Sequence, residues 1–170
     1  MEKGTLYWIT GLAGAGKTTI GNLLYEYLRS QKDNVVIIDG DIIREIYRSS
    51  DYSNEGRKKL AETSMRLCRM LTEQGIDVVI CIIAMYNDCR MWNRNNISNY
   101  KEIYIKVDME ELIRRDQKQL YSKAMRGEIE NVMGIDIPFE EPQTPDLIIN
   151  NNGQDSPEEI LQYIVKELNI

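Results

Sequence analysis

The stretch Gly11-Leu12-Ala13-Gly14-Ala15-Gly16-Lys17-Thr18 constrains the fold more than any other part of the chain. It matches the pattern G-x-x-x-x-G-K-S/T in full, and that pattern works only between a strand and a helix. Both are predicted. Thr5–Thr10 (TLYWIT) is rich in aromatic and β-branched residues and reads as a strand. After the loop, Ile20, Leu23, Leu24, Tyr27 and Leu28 fall on one helical face. Small residues let successive backbone N–H groups turn inward on a phosphate chain. A helix beginning near Lys17 adds the positive end of its dipole. Lys17 is expected to reach the β- and γ-phosphates, and the Thr18 hydroxyl to ligate Mg²⁺. Gly11, Ala13, Gly14, Ala15, Gly16, Lys17, Thr18 and Thr19 are the expected nucleotide cradle.

The rest of the chain repeats strand and helix. Val35 to Ile38 is an apolar run closed by Asp39-Gly40-Asp41. Glu55 to Glu73 suits a helix, with Leu60, Ser64, Leu67 and Leu71 at helical spacing and Gly75 as its stop. Ile76 to Ile83 is nearly all apolar, as a strand covered on both faces would be. Tyr86–Tyr100 reads as a helix with loose ends, Ile103–Val107 as a strand, Met109–Gln119 as a charged helix and Leu147–Ile149 as a last short strand. Ser156-Pro157-Glu158-Glu159 opens a helix with a capping box, and Ile160, Leu161, Ile164, Val165 and Leu168 form its apolar stripe. Alternation of this kind predicts an α/β domain over residues 1–170, with a parallel five-stranded sheet between two helical layers. The segment from about 117 to 142 is long for a plain connection, and such insertions tend to be lids.

Composition narrows the chemistry. There is no histidine among the 170 residues, which excludes a Ser-His-Asp or Cys-His nucleophile, a histidine metal ligand and a histidine base. The net charge of −6 argues against a basic nucleic-acid face. Cys68, Cys81 and Cys89 are an odd number without C-x-x-C or zinc spacing, which fits a reducing, cytoplasmic setting. The longest strongly apolar run, Val78–Met85, is too short to span a bilayer, and no leader peptide is expected from the residues after Met1. The strings D-x-x-G and N-K-x-D, which mark GTPase switches, are absent, so a small-molecule kinase is favoured over a switch.

A second centre lies at Asp39-Gly40-Asp41. In an open α/β sheet the carboxyl ends of the strands face the ligand crevice. One carboxylate there can hold a metal ion and the other can accept a proton from an attacking hydroxyl. D-G is also a common turn dipeptide, and the local sequence alone leaves the two readings level. Arg44 follows Asp41 by one helical turn, and Arg57 heads the next helix. Each can clamp an anion or simply sit in solvent.

Taken together these residues resemble the adenylylsulfate kinases, P-loop enzymes that phosphorylate the 3′-hydroxyl of adenosine 5′-phosphosulfate with MgATP. The resemblance rests on GLAGAGKTT at 11–19, DGD-x-x-R at 39–44, Tyr52-Ser53 followed by Arg57, and Arg115-Asp116. Two further blocks are more specific: Lys118-x-Leu-Tyr-x-Lys-Ala-x-x-Gly-Glu-Ile ending at Ile129, and Gly134-Ile-Asp-x-Pro-Phe-Glu-x-Pro142. The resemblance implies a P-loop NTPase-type three-layer sandwich and a cytoplasmic enzyme, with a homodimer among its expected partners. It implies ATP and Mg²⁺ as cofactors, and makes Asp41 the base for the acceptor hydroxyl beside catalytic Lys17. Thr18 and Asp39 would serve the metal. Arg44 and Arg57 would hold the acceptor's anionic end, and Tyr52 stands where the family stacks a Phe on the acceptor base. Lys118 and Lys123 would lie near the transferring phosphates under a lid at 117–142.

The departures cluster on the acceptor side. The family's I-S-P-Y-R reads Ile83-Ala84-Met85-Tyr86-Asn87, its Arg-x-x-Asn reads Arg57-Lys-Lys-Leu60, and its second stacking Phe appears as Val132. One ring and one aliphatic wall suit a smaller base than two rings do. In these replacements the chain is similar to a divergent branch, the cytidine diphosphoramidate kinases of capsule decoration, which implies a cytidine nucleotide acceptor. Adenylylsulfate is the alternative. A nucleotide-binding protein without turnover and a kinase of a sugar or small alcohol are the rivals from other classes. Trp92-Asn93-Arg94 is a further difference, with either substrate contacts or a structural role to fill.

Overall fold

In a computed structural model that describes residues 2–170, alternate side chains of each central strand feed two separate cores. The strands are β1 Thr5–Thr10, β2 Val35–Asp39, β3 Asp77–Ile82, β4 Asn99–Lys106 and β5 Leu147–Asn150. All are parallel, in the order β2-β3-β1-β4-β5. The helices are α1 Lys17–Arg29, α2 Gly40–Ile46, α3 Asn54–Glu73, α4 Asn87–Asn96, α5 Met109–Arg115, α6 Leu120–Met125 and α7 Pro157–Leu168. Leu6, Trp8, Val78, Ile80 and Tyr104 pack with Ala61, Met65 and Cys68 of α3 and Cys89 of α4. Tyr7, Ile9, Val79, Cys81, Ile103 and Ile105 pack with Ile20 and Leu24 of α1 and Ile160 and Ile164 of α7. Helices on both faces explain why β3 is buried throughout and has no polar face.

α1 lies close on β3. A side chain at Gly21 would collide with the Cys81 sulfur, and that thiol donates to the Lys17 carbonyl at 3.3 Å. Cys68, Cys81 and Cys89 are all unpaired and buried. The expected capping box on α7 is present. Ser156 Oγ accepts from the Glu159 N–H at 3.3 Å, and the Glu159 carboxylate accepts from the Ser156 N–H at 2.8 Å. Among the described residues no helix is long and apolar enough to cross a membrane.

Three elements differ from the sequence expectation by more than one residue at an end. β4 begins at Asn99 rather than Ile103, because its first half carries Glu102, a buried carboxylate that an apolar pattern cannot reveal. Glu102 sits 3.4 Å from both Arg90 and Arg94 of α4, which itself covers only Asn87–Asn96. The helix expected over Met109–Gln119 stops at Arg115. Asp116, Lys118 and Gln119 take left-handed φ values of 37°, 56° and 57°, so the chain breaks through a 3-10 turn before α6 starts.

Trp92 and Arg94 have structural roles. Trp92 is half-buried against the core beneath the Arg66 guanidinium. Arg94 donates to the Thr144 carbonyl at 2.8 Å and to Asp146 at 2.9 Å. Arg90 donates to the Glu140 carbonyl at 2.8 Å, and the Asn87 N–H donates to the Glu140 carboxylate at 2.7 Å. The face of α4 towards β4 thus fastens the end of the 117–142 segment to the sheet.

Candidate active site

The loop between β1 and α1 keeps its backbone donors free. Among the described residues from 12 to 18, only the Ala15 N–H is spent on a backbone carbonyl, that of Leu12 at 3.2 Å. Gly16 is the N-cap of α1 at φ 95°, and a side chain there would press on the Asn151 amide at 2.8 Å. The turn that aims the helix N-terminus therefore needs glycine. Lys17 folds back over the loop, and its ammonium donates to the Leu12 carbonyl at 2.8 Å. It is only 9% exposed, and burial pushes its pKa down to about 8, against the pull of Cys81, Asp39 and Asp41.

The acidic centre meets this loop at the end of β2. The Thr18 hydroxyl donates to Asp39 Oδ2 at 2.7 Å. The other oxygen of Asp39 accepts from the Asp41 N–H at 2.9 Å, which caps α2. Asp39 is thereby locked beside Thr18, while Asp41 projects into solvent with 81% of its side chain exposed. The Lys118 ammonium lies 4.0 Å from the Asp41 carboxylate. A hydroxyl and a fixed carboxylate are hard oxygen donors of the kind Mg²⁺ takes, alongside water and phosphate. Among the described residues no group of three or more Cys, Asp or Glu forms a metal cage.

A cavity of about 470 Å³ opens from this centre. Of the expected site residues, Ala13, Gly14, Lys17, Thr18, Asp39, Asp41, Arg44, Tyr52, Arg57, Lys118 and Val132 line it. Lys123 of α6 does not; Gly11, Ala15, Gly16 and Thr19 shape the loop from outside its lining. The two arginines were expected free for an anion, yet both also bond backbone. Arg44 donates to the Asp51 carbonyl at 2.8 Å. Arg57 donates through Nε to the Tyr52 carbonyl at 2.9 Å and through Nη2 to the Asn131 carbonyl at 2.8 Å. Their guanidinium carbons lie 4.1 and 5.5 Å from the Tyr52 ring centre. Burial, and then the charge of Arg44, holds the Arg57 pKa below its usual value. Leu60, Ile83, Ile129 and Met133 stand with Val132 as an apolar stretch of the wall, beside the polar Gln117, Glu130 and Asn131.

Three bracing residues carried no role in the sequence reading. Arg115 donates to the Asn151 carbonyl at 2.6 Å and to the Gly14 carbonyl at 3.3 Å. Asn151 donates to the Ala15 carbonyl at 2.9 Å. The fully buried Tyr121 of α6 donates to the Ala13 carbonyl at 2.7 Å, tying the 117–142 segment to the phosphate loop. The Arg115-Asp116 pair, and the tyrosine of the block that begins at Lys118, were the signals that could have pointed here.

Comparison with known proteins agrees with this geometry. A family model described as adenylylsulphate kinase matches residues 3–150. The chain is 45% identical over 163 residues to cytidine diphosphoramidate kinase of Campylobacter jejuni subsp. jejuni serotype O:2, covering 96% of this chain and 95% of that protein. It is 36% identical over 149 residues to a probable adenylyl-sulfate kinase of Archaeoglobus fulgidus, covering 87% of this chain and 96% of that protein. In structure it resembles the Mycobacterium tuberculosis APS kinase CysC in complex with AMPPNP and APS, with a TM-score of 0.90, 26% identity and full coverage of both chains. A free phosphate cradle, a carboxylate pair at the β2 terminus and this likeness along nearly the whole chain converge: the chain belongs to the adenylylsulphate kinase family.

Proposed function

We propose that the chain transfers the γ-phosphoryl group of MgATP to the 3′-hydroxyl of cytidine diphosphoramidate. The observation that carries this reading is the acceptor half of the cavity, where a single aromatic wall, Tyr52, stands with the aliphatic Val132 and Leu60. Stacking on an aromatic side chain is worth roughly 1–3 kcal/mol per base. A purine deprived of its second ring loses more overlap than a pyrimidine does. The 45% identity to a cytidine diphosphoramidate kinase supports the same acceptor.

The chain's own groups suit in-line transfer. Free N–H groups of the loop and Lys17 bind the β- and γ-phosphates. Asp39 is engaged by Thr18 and the Asp41 N–H, which suits it to the metal side. Mg²⁺ at Thr18 and Asp39 would neutralise phosphate charge. Asp41 is left open to accept the proton of the acceptor hydroxyl. Arg44 and Arg57 supply the positive charge for the acceptor's phosphates. Closure of the 117–142 segment as a lid excludes water, which would otherwise take the phosphoryl group. Three buried, unpaired cysteines support a reducing compartment such as the cytoplasm.

The test is ADP release from MgATP with and without acceptor. Cytidine diphosphoramidate should start turnover, and Asp41→Ala should reduce it by roughly 10²–10⁴-fold with ATP affinity kept. ADP release that ignores every nucleotide acceptor would contradict the proposal, and unchanged turnover in Asp41→Ala would remove Asp41 as base.

A further inference from the structure

The wall opposite Tyr52 is built around one carboxylate that the mechanism does not use. Asp136 accepts from the Asn131 N–H at 2.5 Å and from the Val132 N–H at 2.6 Å. The turn it closes is tight. The Val132 carbonyl accepts from the N–H groups of Ile135, Asp136 and Ile137 at 3.0, 3.1 and 3.2 Å. Val132, Met133 and Ile137 anchor it in the core, and a side chain on Gly134 would press on Met109. At the head of the turn Asn131 holds φ 67°, a left-handed backbone that an asparagine accepts only at some cost. The Asn131 carbonyl is then presented to Arg57, whose guanidinium also grips the Tyr52 carbonyl. One arginine therefore spans both walls of the acceptor cleft, and its far attachment point is set by Asp136.

We propose that Asp136 is the positioning residue of the acceptor cleft: by clamping the Asn131–Val132 turn it fixes the lid wall and, through the Asn131 carbonyl, holds Arg57 and the gap between Val132 and Tyr52. This rests on the acceptor reading above and names the residue that sets the size of the base the cleft admits. The negative charge of Asp136 also favours charged Arg57. Burial, the largest single influence on the Asp136 carboxyl, pushes its pKa up, but the backbone N–H groups of Asn131, Val132 and Asp136 together with Arg57 outweigh it and hold the pKa below its usual value.

Asp136→Asn keeps the shape but replaces one accepting oxygen with a donor that faces one of the two N–H groups, leaving that N–H without its acceptor. Its acceptor KM should rise about tenfold, equivalent to about 1.4 kcal/mol, while its ATP KM stays within about twofold. Asp136→Glu, which keeps both oxygens and the charge, should recover part of the loss. Amide hydrogen exchange supplies a readout that needs no turnover: Asn131 and Val132 should lose protection in Asp136→Asn while the sheet keeps its own. If wild-type protein phosphorylated none of the nucleotides, the acceptor reading would fall, and the exchange measurement would still decide the clamp. Unchanged acceptor KM and unchanged exchange at Asn131 and Val132 would overturn the proposal. So would an equal rise in both KM values with a collapse of the melting temperature, which marks a purely structural residue.

Discussion

At the scale of single residues, position within one hydrogen-bond chain separates two carboxylates that look alike in sequence. Asp39 has both oxygens committed, to the Thr18 hydroxyl and the Asp41 N–H, whereas Asp41 has its carboxylate in solvent beside Lys118. The glycines and lysine of the cradle were legible because their spacing is itself the chemistry. The double duty of Arg44 and Arg57 was not, since the partner carbonyl on Asn131 lies 74 residues from Arg57 along the chain. Lys17 yields a prediction at this scale. With its pKa pushed down to about 8 by burial, the ammonium is charged below that pH and neutral above it. Phosphates bound to it favour the charged form, so nucleotide binding above that pH must take up a proton. ATP affinity should therefore weaken as pH rises through about 8, approaching tenfold per pH unit beyond it. Calorimetry from about pH 6.5 to about pH 9.5 checks this. Lys17→Arg, which stays charged, should give a flatter profile, and a flat wild-type profile would refute the claim.

At the scale of elements, periodicity located those whose faces are simply apolar or capped. The stripe and capping box of α7 and the apolar runs of β1 and β3 are all present in the structure. It failed where a polar residue is buried or a turn is left-handed. β4 was read four residues short because Glu102 lies inside it, and the helix after Met109 was read too long because nothing local marks Asp116 as left-handed. Glu102 earns its burial by holding Arg90, whose side chain is 5% exposed, and the more open Arg94. Burial raises the Glu102 pKa against the pull of both arginines. Removing it strands a buried guanidinium, so Glu102→Ala should lower stability by about 3 kcal/mol. Denaturant unfolding measures it, and a loss below about 1 kcal/mol would mean water already carries that charge. Because Arg90 and Arg94 also hold the strap at 140–146, the variant should lose order there first.

At the scale of the whole molecule, the strand order places the β1 loop and the β2 terminus at the same end of the sheet, one on either side of β3. That end gathers the groups to which the proposed chemistry is assigned: N–H groups, Lys17, two carboxylates and the arginines of α2 and α3. A chain without histidine lacks nothing for such a reaction, since phosphoryl transfer asks for positioning and charge more than for covalent chemistry. The net charge of −6 does not oppose anionic ligands, because Lys17, Arg44, Arg57 and Lys118 line one cavity. The family, its cradle and, through the resemblance, the pairing of Tyr52 with Val132 could be read from motifs; the tie that Arg57 makes between the two walls, through the Tyr52 and Asn131 carbonyls, could not, because it forms only in the folded chain. The most direct test of the account is a competition between cytidine diphosphoramidate and adenylylsulfate in one vessel with limiting MgATP, with the 3′-phosphorylated products separated and counted. The account predicts that the cytidine product dominates, by at least about tenfold, the worth of one lost stacking face. A dominant 3′-phosphoadenylylsulfate product would contradict it.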